Sequence, residues 1–451
     1  MRILIVSYYF PPANYIASLR VGKWAKYLER AGIETWVLTL ESGMFPSAGV
    51  LPVEITHERV IRAGMGRRLT GILKKRQMKR ETVPQGTNAR VSGGKPALST
   101  LLFQTESWVT PIWRQFSKQF SDVRFPDRAF PWVVPAIRQG HNLLKSLSFD
   151  VILSSHGPPS SHLVASALAG KRHLAWIADY RDLWSLNHVA RRSGFVQNWE
   201  LSFEKRVLRH AKALITVSTP LAEELRMLHN KPVYVIPNGF DEEDYVAIKS
   251  KDKLQNNPGI LRIVYTGTIY PGKRDPSRLF EAMAFLRNRT EQAGFDIHVH
   301  FIGVEPQFVT PAASRYGVQA QVFCHPRCSY YESLHWQMSG DVLLLLEWLD
   351  PSAKGVYTGK IFEYLGARRP ILCIGPSGGV IDDLLRKTKA GCLMNDSQAI
   401  ATWLSSIFET KRQLGSIRMS YDNETLTEYS RSDQAQHLAA LLRSVTAGLP
   451  C

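Results

Sequence analysis

The sequence predicts an α/β protein with two doubly wound, Rossmann-like parallel-sheet domains that face a cleft. Three observations support this fold class. The chain has 451 residues, a length that suits two domains of about 200 residues each. Short apolar runs alternate with helical stretches nearly throughout, as is typical of buried parallel strands covered by helices. The polar segment KSKDKLQNNPG (249–259) divides the alternation into two series and has the composition of a linker.

The first series defines an N-terminal domain, predicted over residues 1–248. Its strand-like runs are RILIVSY (2–8), ETWVLTL (34–40), DVILSS (150–155), HLAWIAD (173–179), KALITVS (212–218) and PVYVIP (232–237). An amphipathic helix is predicted around 17–31, between the first two runs. Ligands of such sheets bind outside the carboxyl ends of the strands, so the loops after these runs are the candidate sites.

The second series follows a linker placed at 249–260 and defines a C-terminal domain, predicted over 261–425. Its runs are LRIVYTG (261–267), DIHVHFIG (296–303), VQAQVF (318–323), DVLLLLE (341–347) and PILCIG (370–375). Residues 426–451 contain TEYSRSDQAQHLAALLRSV, which is predicted as a helix crossing back to the N-terminal domain. That crossing is an expectation from fold analogy alone.

The charge and the cysteine content limit the partners and the compartment that the sequence predicts. The chain carries 56 Lys and Arg against 39 Asp and Glu, a formal net charge of +17, which favours an anionic partner such as a phosphate-bearing ligand, a membrane surface or nucleic acid. The five cysteines are scattered and odd in number, which suits a reducing compartment. Cys324 and Cys328 flank His325, but no second ligand pair lies at zinc spacing, so no metal site is predicted there.

We expect no targeting signal from the sequence pattern. The first residues, MRILIVSYYF, contain too short an apolar run for a signal peptide. No window approaches the length of apolar sequence that spans a bilayer. We therefore expect a cytoplasmic protein, peripheral on the inner face of the cytoplasmic membrane.

One predicted insertion, residues 59–125, interrupts the alternation. Residues 59–95 contain eleven Lys and Arg and one Glu. Within 99–120, apolar residues recur at helical spacing: Val109, Ile112, Trp113, Phe116 and Phe120. A basic stretch beside an aromatic amphipathic helix predicts contact with an anionic membrane surface. The alternative is a disordered basic loop followed by a helix packed on the core.

Two stretches of the C-terminal half could hold phosphate and sugar groups. In YTGTIYPGKRDP (265–276), a Gly-containing loop carries Lys273 and Arg274 between a strand and a helix, a pattern that suits an anion. In YTGKIFEYLGARRPILCIG (357–375), Lys360 lies on the first turn of a helix and Glu363 follows where it could accept ribose hydroxyls. The alternatives are a solvated turn and a surface ion pair.

Two stretches of the N-terminal half follow strands. SSHGPPSSH (154–162) places His156 at a strand's carboxyl end, where it could bind a sugar hydroxyl or act as a structural cap. WIADYRDLW (176–184) offers carboxylates and an indole that suit a carbohydrate acceptor. Arg181 and Asp182 could equally form an internal ion pair.

Taken together, these stretches resemble the retaining glycosyltransferases of family 4, which have the GT-B architecture. The resemblance rests on RILIVSYYFPPANYIASLR, ILSSHGPPSSHLVASALA, IADYRDLW, VIPNGFDEEDY, YTGTIYPGKRDP and GKIFEYLGARRPIL, which run from residue 2 to about residue 375 in the family's order. It implies a nucleoside-diphosphate sugar bound mainly by the C-terminal domain. The segments with KIFEYLG and RDLW resemble bacterial enzymes that build surface polysaccharides on lipid carriers.

The resemblance also assigns residues. It implies catalytic roles for His156, near the donor sugar, and for Lys273 and Arg274, on the diphosphate. The implied donor-binding residues are Gly267, Thr268, Thr358, Gly359, Lys360 and Glu363, with Glu363 on the ribose. The acceptor-side candidates are Arg20, Asp179, Arg181, Asp182 and Trp184, and Asn238 and Gly239 match the turn before the linker.

Three departures from the family pattern stand out. The family's paired glutamates are eight positions apart, but Gly355 stands eight before Glu363. The first loop reads PPANYIAS without Gly, and the insertion at 59–125 is larger than a minimal member needs.

The resulting hypothesis is retaining transfer of a sugar to a hydroxyl of a lipid-linked glycan or oligosaccharide in polysaccharide biosynthesis, without a metal or other cofactor. One alternative is a nucleotide-sugar epimerase or hydrolase of the same architecture that recruits Asp179 or Asp182. Another is a non-catalytic protein that binds an anionic polymer. The basic residues cluster in one insertion without a recognised nucleic-acid module, so nucleic acid is not a predicted partner.

Overall fold

The computed structural model describes residues 1–45, 51–65, 126–187, 194–248, 257–270, 272–289, 296–348, 355–417 and 419–448. They form one seven-stranded and one six-stranded parallel sheet, each covered by helices on both faces. The predicted α/β fold with two doubly wound domains is confirmed. Among the described residues, no helix combines the length and apolar character needed to cross a membrane.

The N-terminal sheet has the strand order β3-β2-β1-β4-β5-β6-β7. Its strands are β1 (Arg2–Val6), β2 (Glu34–Leu40), β3 (Val60–Ala63), β4 (Val151–Ser155), β5 (Ala175–Tyr180), β6 (Ala213–Thr216) and β7 (Val233–Val235). Its helices are α1 (Ile16–Arg30), α2 (Phe130–Ser146), α3 (Ser160–Arg172), α4 (Gly194–Leu208), α5 (Thr219–His229) and α6 (Glu242–Val246). The central strands form because their side chains are buried on both faces, which suits continuous apolar runs.

The C-terminal sheet has the strand order β10-β9-β8-β11-β12-β13. Its strands are β8 (Ile260–Thr266), β9 (Asp296–Ile302), β10 (Val322–His325), β11 (Val342–Leu346), β12 (Ile371–Ile374) and β13 (Gly391–Leu393). The helices are α7 (Ser277–Arg289), α8 (Thr310–Arg315), α9 (Tyr330–Ser339), α10 (Gly359–Ala367), α11 (Val380–Thr388), α12 (Ser397–Leu414), α13 (Asn423–Thr427) and α14 (Arg431–Ala447). Strands β8, β9, β11 and β12 match the predicted runs closely.

The sheet edges differ from the prediction. Strand β3 was assigned to the basic insertion, but it pairs with β2, and Arg62 donates to the carbonyl oxygens of Leu40 and Pro11. The bounds of the strand predicted at 318–323 are wrong, because a 3-10 turn occupies Gln319–Gln321 and β10 begins at Val322. Strand β13 was not predicted, since its three residues are only half-buried.

Helix α14 returns to the N-terminal domain. Its apolar residues Leu438, Leu441 and Leu442 join the same buried cluster as Val21 and Leu28 of α1. The N–H of Arg431 donates to the carbonyl oxygen of Phe240 at 2.8 Å. This helix therefore ties the C-terminal segment to the first domain, as fold analogy suggested. The predicted membrane helix and most of the basic insertion lie outside the described residues, as do residues 249–256 of the linker.

Candidate functional site

The carboxyl edges of the two sheets face a cleft. Its larger cavity has a volume of about 750 Å³. The N-terminal domain contributes Tyr9, Tyr15 and Arg181 to its wall, and the C-terminal domain contributes Thr268 and Glu363 among others. The two domains touch at one end, where a Cβ on Gly359 would lie 2.4 Å from Cδ1 of Ile16. Glycine at the start of α10 therefore permits the close approach of α1.

Among the predicted donor-binding residues, Glu363 is the most firmly held. Its side chain is largely buried but lines the larger cavity. Oε2 accepts from Lys360 Nζ at 2.8 Å and from Gln337 Nε2 at 2.9 Å. The same Gln337 nitrogen donates to Thr266 Oγ1 at 3.0 Å, which joins α9, α10 and β8 in one network. These contacts fix the carboxylate in one orientation toward the cavity.

The loop after β8 carries two cations near the same cavity. Lys273 is exposed, and its Nζ lies 3.9 Å from the ring centroid of Trp348. Arg274 is half-buried and donates to the carbonyl oxygen of Thr268 at 3.2 Å. Gly267 adopts φ +143, a conformation that glycine allows, and its N–H donates to the carbonyl oxygen of Ile302. The turn therefore presents both cations on the cleft side of the sheet.

Helix α10 begins beside these cations. Thr358 is its N-cap residue, but its side chain makes no capping hydrogen bond. Thr358 instead lines both cavities of the cleft. The helix N-terminus, with its positive dipole end, therefore lies where Lys360 and Arg274 also face open space.

A second cavity of about 500 Å³ adjoins the first. Asp182 and Asn187 line it from the N-terminal domain, and Lys273, Glu347 and Trp348 line it from the C-terminal domain. Tyr270, Arg274 and Thr358 belong to the walls of both cavities. The two spaces are therefore continuous around these three residues.

His156 lies one layer behind the cleft. It is buried, and its ring stacks on Tyr180 with centroids 5.3 Å apart. Burial holds the pKa of His156 well below its usual value, so the imidazole is neutral. Neither ring nitrogen has a hydrogen-bond partner among the described residues. Its carbonyl oxygen accepts from Arg181 Nε at 3.0 Å, and Arg181 reaches the cavity wall.

Three of the acceptor-side candidates make internal contacts instead of facing the cleft. Arg20 and Asp179 are fully buried and form a bidentate ion pair, with N–O distances of 2.8 and 3.1 Å. Arg20 also donates to the carbonyl oxygen of Ile236 at 2.8 Å. Trp184 is buried, and its Nε1 donates to Glu200 at 3.0 Å. The proposed stacking of an acceptor on the Trp184 indole is therefore wrong, because the core covers that ring.

Arg181 and Asp182 are the acceptor-side candidates that line cavities. The suggested internal ion pair between them is not among the contacts of the described residues, where Arg181 bonds to the carbonyl oxygens of His156 and Gly157. Asn238 accepts from Gln434 and Arg20, so the turn before the linker is held by buried contacts.

Two residues that shape the cleft escaped sequence reasoning, one buried behind its wall and one on the wall itself. Gln337 lies in the last turn of α9, where no local pattern shows which face meets Glu363. Glu347 follows the buried leucines of β11, and a carboxylate directly after such a run was a usable signal.

One group of carboxylates among the described residues could hold a metal ion by spacing, namely Glu54, Asp241 and Asp244. Lys23 contacts all three at 2.7–2.8 Å, and Lys26 contacts Glu54 and Asp241 at 2.7 and 2.8 Å. The lysine ammonium groups already supply the positive charge that a cation would bring.

Comparisons with known proteins agree with this architecture. The sequence model described as Glycosyltransferase Family 4 matches residues 106–244. A comparison with curated proteins finds no match. Among solved structures, sucrose-phosphate synthase from Thermosynechococcus elongatus is similar, with 15% identity, a TM-score of 0.58, and coverage of 99% of this chain and 100% of that one.

Two further solved structures are similar over almost their full lengths. Anabaena HepE in complex with UDP has 13% identity and a TM-score of 0.51, covering 99% of this chain and 98% of that one. A putative UDP-N-acetylglucosamine 2-epimerase from Listeria monocytogenes has 9% identity and a TM-score of 0.52, covering 100% and 97%. The chain has the GT-B fold, and the family match supports the predicted resemblance.

Proposed function

We propose that the protein is a glycosyltransferase that moves a sugar from a nucleoside-diphosphate sugar to an acceptor hydroxyl. The observation that carries this proposal is the order of groups along the cleft. Glu363 lies at one end, Arg274 and Thr358 lie between the two cavities, and a second cavity follows. A ribose, a diphosphate and a sugar are joined in the same order, and each meets suitable chemistry.

The main requirement for catalysis is to stabilise the departing diphosphate. Negative charge develops on it as the bond to the sugar breaks. Lys273, Arg274 and the N-terminus of α10 would stabilise that charge in a partly closed site. Loss of one such donor typically lowers turnover by about 100- to 1,000-fold. Anabaena HepE, of the same fold, has been solved in complex with UDP, which supports a nucleotide as the ligand class.

The finer parts of the proposal follow from the family resemblance. We propose retention of the anomeric configuration, transfer without a metal ion, and an acceptor on a lipid-linked glycan or oligosaccharide in bacterial polysaccharide biosynthesis. Proton NMR of the first product would test retention, since the anomeric coupling reports the configuration before mutarotation. Turnover that persists in excess EDTA supports the metal-independent reaction.

Membrane association is proposed for the inner face of the cytoplasmic membrane, through residues 59–125. The basic composition of this segment supports it. Co-sedimentation with vesicles of anionic and neutral lipid, with and without residues 66–125, is the direct measurement. Binding that needs both the segment and the anionic lipid supports the proposal, and equal binding without the segment contradicts it.

An epimerase or hydrolase is the second candidate, because a putative epimerase shares the fold. The fold alone does not separate these reactions. Asp182 lines the second cavity and is the carboxylate that such an enzyme could recruit. Incubation of the preferred nucleotide sugar with the protein and no acceptor distinguishes them: rapid epimerisation or hydrolysis favours the second candidate, and a stable donor favours transfer.

The experiment that tests the main proposal is thermal stabilisation by a panel of UDP-, GDP-, ADP- and dTDP-sugars. We expect one nucleotide class to raise the unfolding temperature of the wild type, since ligands that bind the native state stabilise it. Glu363→Ala should abolish the rise, and Glu409→Ala, at an exposed pair on α12, should retain it. No stabilisation of a folded wild type by any member of the panel would contradict the proposal.

A further inference from the structure

The second cavity of the cleft has chemistry that the donor phosphates do not use. It is continuous with the larger cavity around Arg274 and Thr358, and it extends to Glu347 and Trp348. If the ribose meets Glu363 and the diphosphate meets Arg274, the group beyond the diphosphate enters this second space. In a nucleoside-diphosphate sugar, that group is the sugar to be transferred.

The backbone of Glu347, which lines this cavity, is held by the sheet. Its N–H donates to the carbonyl oxygen of Ile374 at 2.9 Å, so it continues the pairing of β11 with β12. A Cβ on Gly375 would lie 2.4 Å from Cβ of Glu347. The absence of a side chain at Gly375 therefore leaves the room that Glu347 occupies.

The carboxyl group of Glu347 has an unmet hydrogen bond. Its Oε1 is buried and has no partner among the described residues. Burial raises the pKa of Glu347 to about 7, and the nearby Arg274 lowers it in part. A buried carboxyl oxygen without a partner is costly unless a ligand or water completes it.

The neighbours of Glu347 favour a sugar hydroxyl as that partner. Its Oε1, which has no partner among the described residues, needs a hydrogen-bond donor, which a sugar hydroxyl supplies and a phosphate diester oxygen does not. Lys273 and Arg274 line the same cavity and are the groups that suit the phosphates. Trp348 supplies an aromatic wall, which suits the C–H face of a pyranose. Hydroxyls and C–H groups on one ring match a carboxyl and an indole on adjacent residues.

We propose that Glu347 binds a hydroxyl group of the transferred sugar and thereby determines which sugar the enzyme accepts. The inference rests on the proposed function, because it needs a nucleotide sugar in the cleft. Glu347 then discriminates between sugars that differ at one hydroxyl, since a site that hydrogen-bonds a hydroxyl strongly rejects an analogue lacking it. Trp348 forms the wall against which the ring lies.

Calorimetric titration of the full chain tests the inference with two kinds of probe. The first probes are the free nucleoside diphosphates UDP, GDP, ADP and dTDP. The second are the nucleotide sugar that best stabilises the wild type and its analogues with one sugar hydroxyl replaced by hydrogen. The proteins are the wild type, Glu347→Ala, Glu347→Gln and Glu363→Ala.

We expect Glu347→Ala to bind the free nucleoside diphosphate within about twofold of the wild type and to bind the nucleotide sugar at least tenfold more weakly, a loss of about 1.4 kcal/mol or more. One deoxy analogue should bind the wild type and Glu347→Ala equally. This analogue lacks the hydroxyl that Glu347 binds, so the substitution removes no further contact. Glu347→Gln keeps the shape and a hydrogen-bonding oxygen, so it should recover part of the affinity.

Each other outcome has a defined meaning. Equal weakening of the free diphosphate and the nucleotide sugar in both Glu347 variants overturns the inference, as does an unchanged affinity for both. If no deoxy analogue abolishes the effect of Glu347→Ala, the carboxyl group does not contact a hydroxyl. If the wild type binds none of the nucleotides, the proposed function fails together with the inference, whereas loss of both ligands in Glu363→Ala alone leaves the proposed function standing.

Discussion

At the carboxyl edge of the N-terminal sheet, Arg20 and Asp179 are both fully buried and bond to each other. At the corresponding edge of the C-terminal sheet, Lys273 is exposed, and Arg274 and Glu347 line an open cavity. Both sets of charged residues belong to sequence motifs at the carboxyl edges. The comparison teaches that such motifs mark an edge of the sheet, whereas burial and satisfied partners decide whether a residue supports the domain or meets a ligand.

The comparison predicts its largest effect at Arg20. Arg20→Ala leaves Asp179 buried without its cation, and loss of one partner of a buried pair costs about 3–5 kcal/mol. The free energy of unfolding from denaturant titration measures this cost. Arg30→Ala on the same helix removes an exposed pair with Glu243, and such pairs contribute roughly 1 kcal/mol or less. Similar losses in the two variants would contradict a supporting role for Arg20.

The second prediction concerns Lys273, at the carboxyl edge of the C-terminal sheet. Lys273→Ala should lower kcat/KM for the donor that stabilises the wild type by about 100- to 1,000-fold, because one stabilising charge on the diphosphate is lost. The free energy of unfolding should fall by no more than about 1 kcal/mol, since Lys273 is exposed and loses its cation–π contact with Trp348. Arg278→Ala is the matched control. It removes an exposed ion pair with Glu281 on the following helix and should leave kcat/KM unchanged. A drop in stability without a drop in turnover would reverse the assignment.

The sequence predicted the central strands and the place of the turn with Lys273 and Arg274 because both depend on local patterns. Runs such as VILSS and VLLLL are buried on both faces wherever they lie in the sheet. The turn with Lys273 and Arg274 follows its strand directly, so its position at the cleft follows from the direction of the strand.

The N-terminal edge could not be predicted in the same way. Arg20 and Asp179 are 159 positions apart in sequence, and no local pattern shows that they meet in the core. Gln337 likewise reaches Glu363 across 26 positions. Long-range packing therefore decided which of the polar candidates was available to a ligand, and the short edge strand β13 was missed for the same lack of a local signal.

The pH dependence of the unfolding free energy tests the burial of Glu347 at the carboxyl edge of the C-terminal sheet. Its pKa is raised from 4.5 to about 7 in the folded protein, so the folded state holds its proton more tightly than the unfolded state. Stability from this group is therefore present below about pH 4.5 and falls as pH rises toward 7. Glu347→Gln lacks this loss, so its unfolding free energy relative to the wild type should rise between pH 5 and 8, by on the order of 2 kcal/mol.

Denaturant titrations of the wild type and Glu347→Gln at pH 5, 6, 7 and 8 measure this difference. Glu409→Gln, at an exposed carboxylate, should show no trend. A difference that stays constant with pH would mean that the carboxyl group of Glu347 is not desolvated in the folded protein.

The smallest predicted effect concerns a residue that faces the cleft and yet serves the fold. Ser329 lines the larger cavity, but its hydroxyl accepts from the N–H of Glu332 in the capping box of α9. Ser329→Ala should lower the free energy of unfolding by about 1 kcal/mol, the usual cost of a lost N-cap, and leave the affinity for nucleotides within about twofold. Ser339→Ala, at the other end of α9, removes a bond to the carbonyl oxygen of His335 and should cost less, since such bonds compete with the helix. Weaker nucleotide binding without a loss of stability in Ser329→Ala would show that a satisfied partner does not mark a structural residue at this edge.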